Sequence, residues 1–249
     1  MNIKGTAISD TGCKREHNED FVLLQDSFIR DDYYSDQFEI SKDNFICTAV
    51  ADGMGGANAG EIASEITLKE LYGNLKKLAG NLRDQELKSL FSTWITEIHQ
   101  KLIHIGDNDY SKKGMGTTLA GFLFYNSKGY VFHAGDSRVY SFRKNRLVQL
   151  TTDHSLRELT KNPNTPSNII LNVIGGSQPA YIDFKAVKGN MEKGDVILIS
   201  SDGLHDLVEN KEIEKVLKKD LVNSVKVLCQ MAKDRGGKDN ISISELRFG

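Results

Sequence analysis

The chain has 249 residues, 39% of them hydrophobic and 27% charged, an ordinary globular balance that argues against disorder and allows a substantial core. Lys and Arg number 32 against 34 Asp and Glu, a formal charge of −2, which gives no electrostatic reason to expect nucleic acid as a partner. The start, Met1-Asn2-Ile3-Lys4-Gly5-Thr6, lacks a secretory apolar run, and no stretch reaches the roughly 18 apolar residues that span a bilayer, so a cytoplasmic protein with no membrane contact is expected.

In chain order, residues 3–8 alternate in character, and 21–24 and 45–51 are short apolar runs bounded by polar or glycine-containing turns. All three read as strands. From residue 57 to about 78, and from 84 to about 105, apolar residues recur at helical spacing. Ile62, Ile66 and Leu71 mark the first stretch, and Leu87, Leu90, Phe91, Trp94, Ile98 and Leu102 the second, which predicts two consecutive amphipathic helices. Four strands are expected next, at 117–125, 129–134, 138–143 and 146–150, joined by Asn-Ser-Lys-Gly, Gly-Asp-Ser and Lys-Asn turns as an antiparallel meander. Residues 181–187 and 196–200 add two strands, 212–218 and 221–233 a second pair of helices, and 241–246 a final strand. Cys13, Cys47 and Cys229 are widely spaced with no CxxC pair and read as reduced thiols, Cys47 as a small core residue.

Strands at both ends and in the middle, with helices in antiparallel pairs, predict an α+β fold. Two antiparallel sheets would pack as a central β-sandwich, flanked on both faces by pairs of antiparallel helices. No Pro/Gly/Ser-rich boundary divides the chain and its acidic motifs run from end to end, so residues 1–249 are expected to form one domain.

Asp20 precedes a predicted strand, Asp52 follows one, Asp202 follows another and Asp239 precedes the last, so four carboxylates stand at strand ends where connecting loops converge. An aspartate beside glycine also serves simply to make a turn. Asp52-Gly53-Met54-Gly55-Gly56 nevertheless carries more glycine than a turn needs, and Ser201-Asp202-Gly203 repeats the pattern of an apolar strand ending in a carboxylate. Hard divalent cations such as Mg²⁺ and Mn²⁺ take carboxylate and carbonyl oxygens, and scattered aspartates suit them better than histidines do. Two such ions roughly 4 Å apart can orient a phosphoryl group and activate water. Arg15, in Arg15-Glu16-His17-Asn18-Glu19-Asp20, offers a guanidinium fork for two phosphate oxygens.

Seven motifs stand in one order: Arg15-x-x-Asn18-Glu19-Asp20, Asp52-Gly53-Met54-Gly55-Gly56, Gly114-Met115-Gly116-Thr117-Thr118, Gly135-Asp136-Ser137-Arg138, Thr152-Asp153-His154-Ser155, Ser201-Asp202-Gly203 and Gly237-Lys238-Asp239-Asn240. In this the chain resembles the metal-dependent type 2C serine/threonine protein phosphatases in their bacterial form, over nearly its whole length. That resemblance implies a metal site built from Asp20, Asp52, Gly53, Asp202 and Asp239. Asp52, Asp202 and Asp239 would hold one Mn²⁺ or Mg²⁺ ion. Asp20 would contribute to a second ion that shares Asp52 and the Gly53 carbonyl, and Glu19 would act through bound water. Asp136, which as a turn aspartate could instead bond Arg138 or backbone, would form with Asp202 a third, weaker site. Arg15 would bind the phosphate, so that Arg15, Asp20, Asp52, Asp202 and Asp239 carry catalysis.

The mechanism so implied is attack of a metal-bound hydroxide on phosphorus, with no phosphoenzyme, in a monomer acting on phosphoserine and phosphothreonine placed by a serine/threonine kinase. Met54 stands where some relatives have a proton-donating histidine, which leaves a metal-bound water, or by position His17 or His154, for that task. Relatives also carry a longer flap over the stretch 155–180, which here is short, and many have arginine at the position of Asn172. Two other functions remain open: an idle module that recognises phosphoproteins, and a metal phosphoesterase acting on small molecules. The intact carboxylate set argues against the first, and a preference for phosphopeptides over small esters would decide the second.

Overall fold

In the computed structural model, which describes residues 2–39, 45–55, 59–162, 164–166, 168–219 and 223–249, the apolar runs become the inner strands of two sheets. The first third of the chain supplies β1 (Asn2–Asp10), β2 (Asp20–Leu24), β3 (Ser27–Ile29), β4 (Tyr33–Glu39) and β5 (Ile46–Met54), then α1 (Ala59–Leu75) and α2 (Asp84–Asn108). A 3-10 turn at Tyr110–Lys112 leads to β6 (Gly116–Thr117), β7 (Leu119–Tyr125), β8 (Lys128–Ala134), β9 (Arg138–Arg143), β10 (Arg146–Gln149) and the short α3 (Leu156–Thr160). β11 (Asp183–Ala186), β12 (Val196–Ser200), α4 (Asp202–His205), α5 (Asn210–Lys218), α6 (Ser224–Asp234) and β13 (Ile241–Phe248) complete the order. Gly56 of the glycine-rich motif and the expected helix starts at Ala57 and Leu221 lie outside the described residues.

One sheet runs β10-β9-β12-β13-β1-β4 and the other β11-β8-β7-β5-β2-β3, with β6 beside β5, and the strand pairs are antiparallel. Three apolar clusters separate the layers. Ile3, Val22, Val50, Phe122, Val139, Ile197, Leu246 and Phe248 fill the space between the sheets. Leu68, Leu71, Phe91, Ile98 and Leu102 of α1 and α2 pack on Leu23, Leu123 and Phe132. Leu204, Ile213, Leu217, Val225 and Leu228 of α4, α5 and α6 pack on Tyr140, Leu198 and Ile243. The order is therefore helix, sheet, sheet, helix, as the alternation of strands and helix pairs predicts. Strands β2, β7 and β12 are buried along their whole length because both of their faces are covered, which is why their sequences read as continuous apolar runs.

The expected meander of four strands does not form. β7 and β8 pair in one sheet, whereas β9 and β10 pair in the other. The chain changes sheets at Gly135-Asp136-Ser137. Gly135 has φ +110°, and a Cβ there would lie 2.6 Å from the Thr118 Cβ, so the crossing needs glycine. That crossing carries Asp136 to the mouth of the sandwich. Strands β3 and β4 were not expected: β4 is a polar edge strand, with only Tyr34 and Phe38 packed against the inter-sheet core.

Candidate active site

Antiparallel pairing sets the first relationship in the site. Asp20, the first residue of β2, is the register partner of Asp52 in β5. Directly opposed residues have their Cβ atoms about 4.5–5.5 Å apart, and like charges in that position repel. The loop before β2 is held by amides. Asn18 donates to Ser9 Oγ (2.9 Å) and accepts from the Asp20 N–H (3.1 Å). Asn240, at the start of β13, accepts from the Glu19 N–H and donates to the carbonyls of Thr11 and His17, each at 2.9 Å. Asn18 thus braces the loop internally, and Asn240 ties it to the other end of the chain.

Asp52 is fixed from behind. Its N–H donates to Thr118 Oγ1 (3.0 Å), its carbonyl accepts from the Thr118 N–H (2.8 Å) and Thr117 Oγ1 (2.9 Å), and Thr118 Oγ1 shares a hydrogen with Ser137 Oγ (2.7 Å). The Gly114–Thr118 motif therefore acts as a backbone clamp. Gly53 admits no side chain, since a Cβ there would meet the Gly60 carbonyl oxygen at 2.1 Å.

Asp202 opens α4 after β12, and Ser201 beside it donates to Asp20 Oδ2 (2.8 Å) while accepting from the Ser242 N–H (3.0 Å). Ser201 is therefore a structural strut. Asp239, just before β13, accepts from Arg15 Nη2 at 2.7 Å and lines, with Asp202, Gly203, Asp206, Leu207 and Lys238, a cavity of about 180 Å³. Asp136 is buried and leaves Arg138 to Asp153, which takes its Nη2 at 2.6 Å.

The carboxylates feel one another. Burial, reinforced by Asp202 and Asp239, pushes Asp20 up to about 7 despite the Ser201 hydrogen bond. Burial with the charge of Asp239 and Asp206 does the same to Asp202, and burial with Asp202 and Asp153 to Asp136. Asp52 is raised well above its usual range by burial and then by Asp20, Asp202, Asp136 and Asp239. Glu19 is raised mainly by burial, against the pull of Arg15. Asp20 Oδ1, Asp136 Oδ1 and Asp202 Oδ1 are buried oxygens with no hydrogen-bond donor. Three unpaired carboxylate oxygens facing a shared excess of negative charge are a donor set suited to hard divalent cations.

Asp206 was not singled out from the sequence. It lies one turn after Asp202, lines the same cavity, and is raised mainly by burial; its spacing from Asp202 on a helix is the signal that marks it. His17 is largely exposed, 3.8 Å from Glu61. His154 is a half-buried hub instead. Its Nδ1 accepts from the Gly135 N–H (3.2 Å) and Asn172 Nδ2 (2.9 Å), which leaves Nε2 to carry the hydrogen toward Asp183 (3.2 Å). His133, His154 and Asp183 offer atoms within 4.8 Å of one another, yet with two donors on Nδ1 and the hydrogen on Nε2 His154 presents no free lone pair to a metal. Asn172, at the position noted above for arginine, also bonds the Tyr181 backbone at 2.9 and 3.1 Å. None of the helices among the described residues is long and apolar enough to cross a membrane.

The chain is similar to known phosphatases over nearly its whole length. The family model described as protein phosphatase 2C matches residues 23–243. The serine/threonine phosphatase stp of Listeria welshimeri is 32% identical over 247 residues, covering 94% of this chain and 92% of its own. The structure of the S. agalactiae serine/threonine phosphatase superposes with a TM-score of 0.85 at 27% identity, over 99% of this chain and 100% of that one. The catalytic domain of serine threonine protein phosphatase PstP, in complex with 2 manganese ions, gives 0.79 at 25% identity over 99% of each chain. With the family model spanning most of its length, the chain belongs to the protein phosphatase 2C family of serine/threonine phosphatases.

Proposed function

We propose that the chain is a metal-dependent hydrolase that removes phosphate from phosphoserine and phosphothreonine in proteins, acting as one domain. Asp52, Asp202 and Asp239 hold one Mn²⁺ or Mg²⁺ ion; Asp20 holds a second with Asp52 and the Gly53 carbonyl; Glu19 contributes through water. Asp136 with Asp202 holds a third, weaker ion. The observation that carries this reading is the opposition of Asp20 and Asp52 across β2 and β5, within a cluster where Asp20 Oδ1, Asp136 Oδ1 and Asp202 Oδ1 are buried without donors. When bound, the ions polarise the phosphoryl oxygens and activate water for direct displacement.

The chain's own residues do the rest. Arg15 is half-exposed and free to turn from Asp239 to the substrate, where its fork binds two phosphate oxygens and orients phosphorus over the carboxylate cluster. Asn18, Asn240, Thr118 and Ser201 hold the carboxylates at fixed positions through their backbones or Oδ atoms. No serine or cysteine is needed as a nucleophile. Cys47 and Cys229 are buried, and their thiols are pushed up by burial, Cys229 to about 12. The reading extends to a cytoplasmic monomer; relatives named as serine/threonine phosphatases support phosphoproteins, the products of a serine/threonine kinase, as its substrates.

Calorimetric titration of Mn²⁺ into metal-stripped protein tests the assignment. Tight binding is expected in the wild type and its loss in Asp52→Asn; equal binding by the two proteins would remove the cluster as the metal site.

A further inference from the structure

Strands β10 and β11 are the terminal strands of the two sheets, and between them the sandwich opens into a cavity of about 360 Å³. Strand periodicity explains its lining. Ser141 and Arg143 of β9, with Arg146 and Val148 of β10 and Leu150 beyond it, turn one face inward, while Phe142 and Leu147 pack toward α5. Leu150 and Val187 lie against the inter-sheet cluster, so the floor is the open end of the central core. Val148 is 45% exposed.

Four cations line this cavity: Arg143, Arg146, Lys185 and Lys188. No acidic residue is among its lining, in a chain whose formal charge is −2. Arg143 is used internally, its Nε donating to Asp195 Oδ2 at 2.8 Å and its Nη1 to the Lys188 carbonyl at 3.0 Å. Arg146, Lys185 and Lys188 are exposed and make no ion pair with the described residues. Glu214 of α5, whose carboxyl Arg146 helps to lower, is already bonded to Lys218 and the Leu147 N–H.

The groove also has a fixed relation to the carboxylates. β9 starts at Arg138, two residues after Asp136, and Arg143 lies about 17 Å farther along the strand at the usual rise. On the other wall, β11 starts at Asp183, which is bonded to His154. An extended peptide covers that distance in about five or six residues.

We propose that this groove docks an acidic segment of the protein substrate, with one apolar side chain on the Val148, Leu150 and Val187 floor, about five to eight residues from the phosphorylated one. This rests on the protein phosphatase reading and names the substrate class it prefers. Charge complementarity selects the segment, and the apolar floor sets its register.

The test compares wild type with the triple variant Arg146→Glu, Lys185→Glu, Lys188→Glu, none of which touches the carboxylate cluster. Fluorescence anisotropy reads binding of a labelled, unphosphorylated Asp/Glu-rich peptide carrying one leucine, beside a Gly/Ser control of equal length. Initial rates are read on p-nitrophenyl phosphate and on phosphothreonine peptides with acidic or Gly/Ser extensions. Wild type is expected to bind the acidic peptide about tenfold more tightly than the control and to turn over its phosphorylated form with a correspondingly lower KM. The variant is expected to lose both differences while keeping its kcat and its rate on the small ester. Equal binding of the two peptides by wild type, or undiminished binding by a folded variant, overturns the proposal. Absence of turnover on every substrate would instead sink the phosphatase reading, and anisotropy would still decide the groove.

Discussion

Arg15 Nη2 lies 2.7 Å from Asp239 Oδ2, joining two loops at opposite ends of the chain across the mouth of the carboxylate cluster. Both partners are partly exposed, at 51% and 36% of their side-chain surface, so the pair adds little to stability. The guanidinium is held charged, first by the hydrogen bond and then by the field of Asp239. Its value lies in being poised beside the cluster.

Replacing Arg15 with Ala should therefore leave the melting temperature nearly unchanged while raising KM for a phosphothreonine peptide about 10- to 100-fold, the loss of a charge-assisted pair. Lysine in its place should recover only part of the affinity, because it cannot make a bidentate contact. Steady-state kinetics on the two variants checks this, and an unchanged KM in Arg15→Ala would remove Arg15 from phosphate binding.

Asp52→Asn should separate stability from activity. Asp52 sits opposite Asp20 and within the field of three more aspartates, so the neutral amide relieves repulsion in the metal-free protein. Thermal unfolding near pH 8 without metal should show a higher melting point than wild type. Turnover with Mn²⁺ should fall by about a thousandfold or more.

The pH dependence of the metal-free fold follows from the same cluster. Asp20, Asp136 and Asp202 titrate near 7 in the folded chain, against the usual 3.8, because burial and mutual charge favour their protonated forms. The folded state thus binds these protons more tightly than the unfolded state. Their contribution is fully present below about pH 4 and is lost as pH rises through about 7. Metal-stripped protein should melt at least about 5 °C lower at pH 8 than at pH 6. Mn²⁺, which binds the ionised carboxylates, should reverse the loss more strongly at pH 8 than at pH 6. Melting curves in both buffers, with and without the ion, measure it; a metal-free melting point that rises toward pH 8 would contradict the electrostatics.

Phe91 of α2 is fully buried, with ring centroids 5.1 Å from Trp94, 5.0 Å from Phe132 and 4.7 Å from Phe184. Phe91→Ala should cost about 3–5 kcal/mol, or a drop of about 10 °C or more in melting temperature, by opening a cavity between α2 and the sheet. Denaturant unfolding checks the value, and a cost below about 1 kcal/mol would contradict the packing of this layer.

Much of this was legible in the residues, for physical reasons that also explain what was not. β2, β7 and β12 are covered on both faces, and their apolar runs are visible without any partner in view. β4 is a sheet edge with an exposed, polar middle, and Tyr33-Tyr34-Ser35-Asp36-Gln37-Phe38-Glu39 carries too weak an alternation to stand out. The turn at Gly135-Asp136-Ser137 gives a sound signal for reversing the chain and none for which sheet receives the next strand, which is why a meander was expected. Asp20, Asp52, Asp202 and Asp239 could be named from the sequence because they stand at strand ends within ordered motifs, and the structure pairs Asp20 with Asp52 and sets Asp202 and Asp239 on one cavity. The bonds that Thr118 makes to Asp52 and Ser201 to Asp20 depend on contacts between distant segments, and no local pattern carries those.

The most direct measurement of the central claim is the initial rate on a phosphothreonine peptide by metal-stripped protein, before and after Mn²⁺ or Mg²⁺ is added back, beside Asp202→Asn. Turnover that requires both the added cation and Asp202 is the expected result. Sustained turnover by stripped wild type, or a wild-type rate in Asp202→Asn, would contradict catalysis by cations held in the carboxylate cluster.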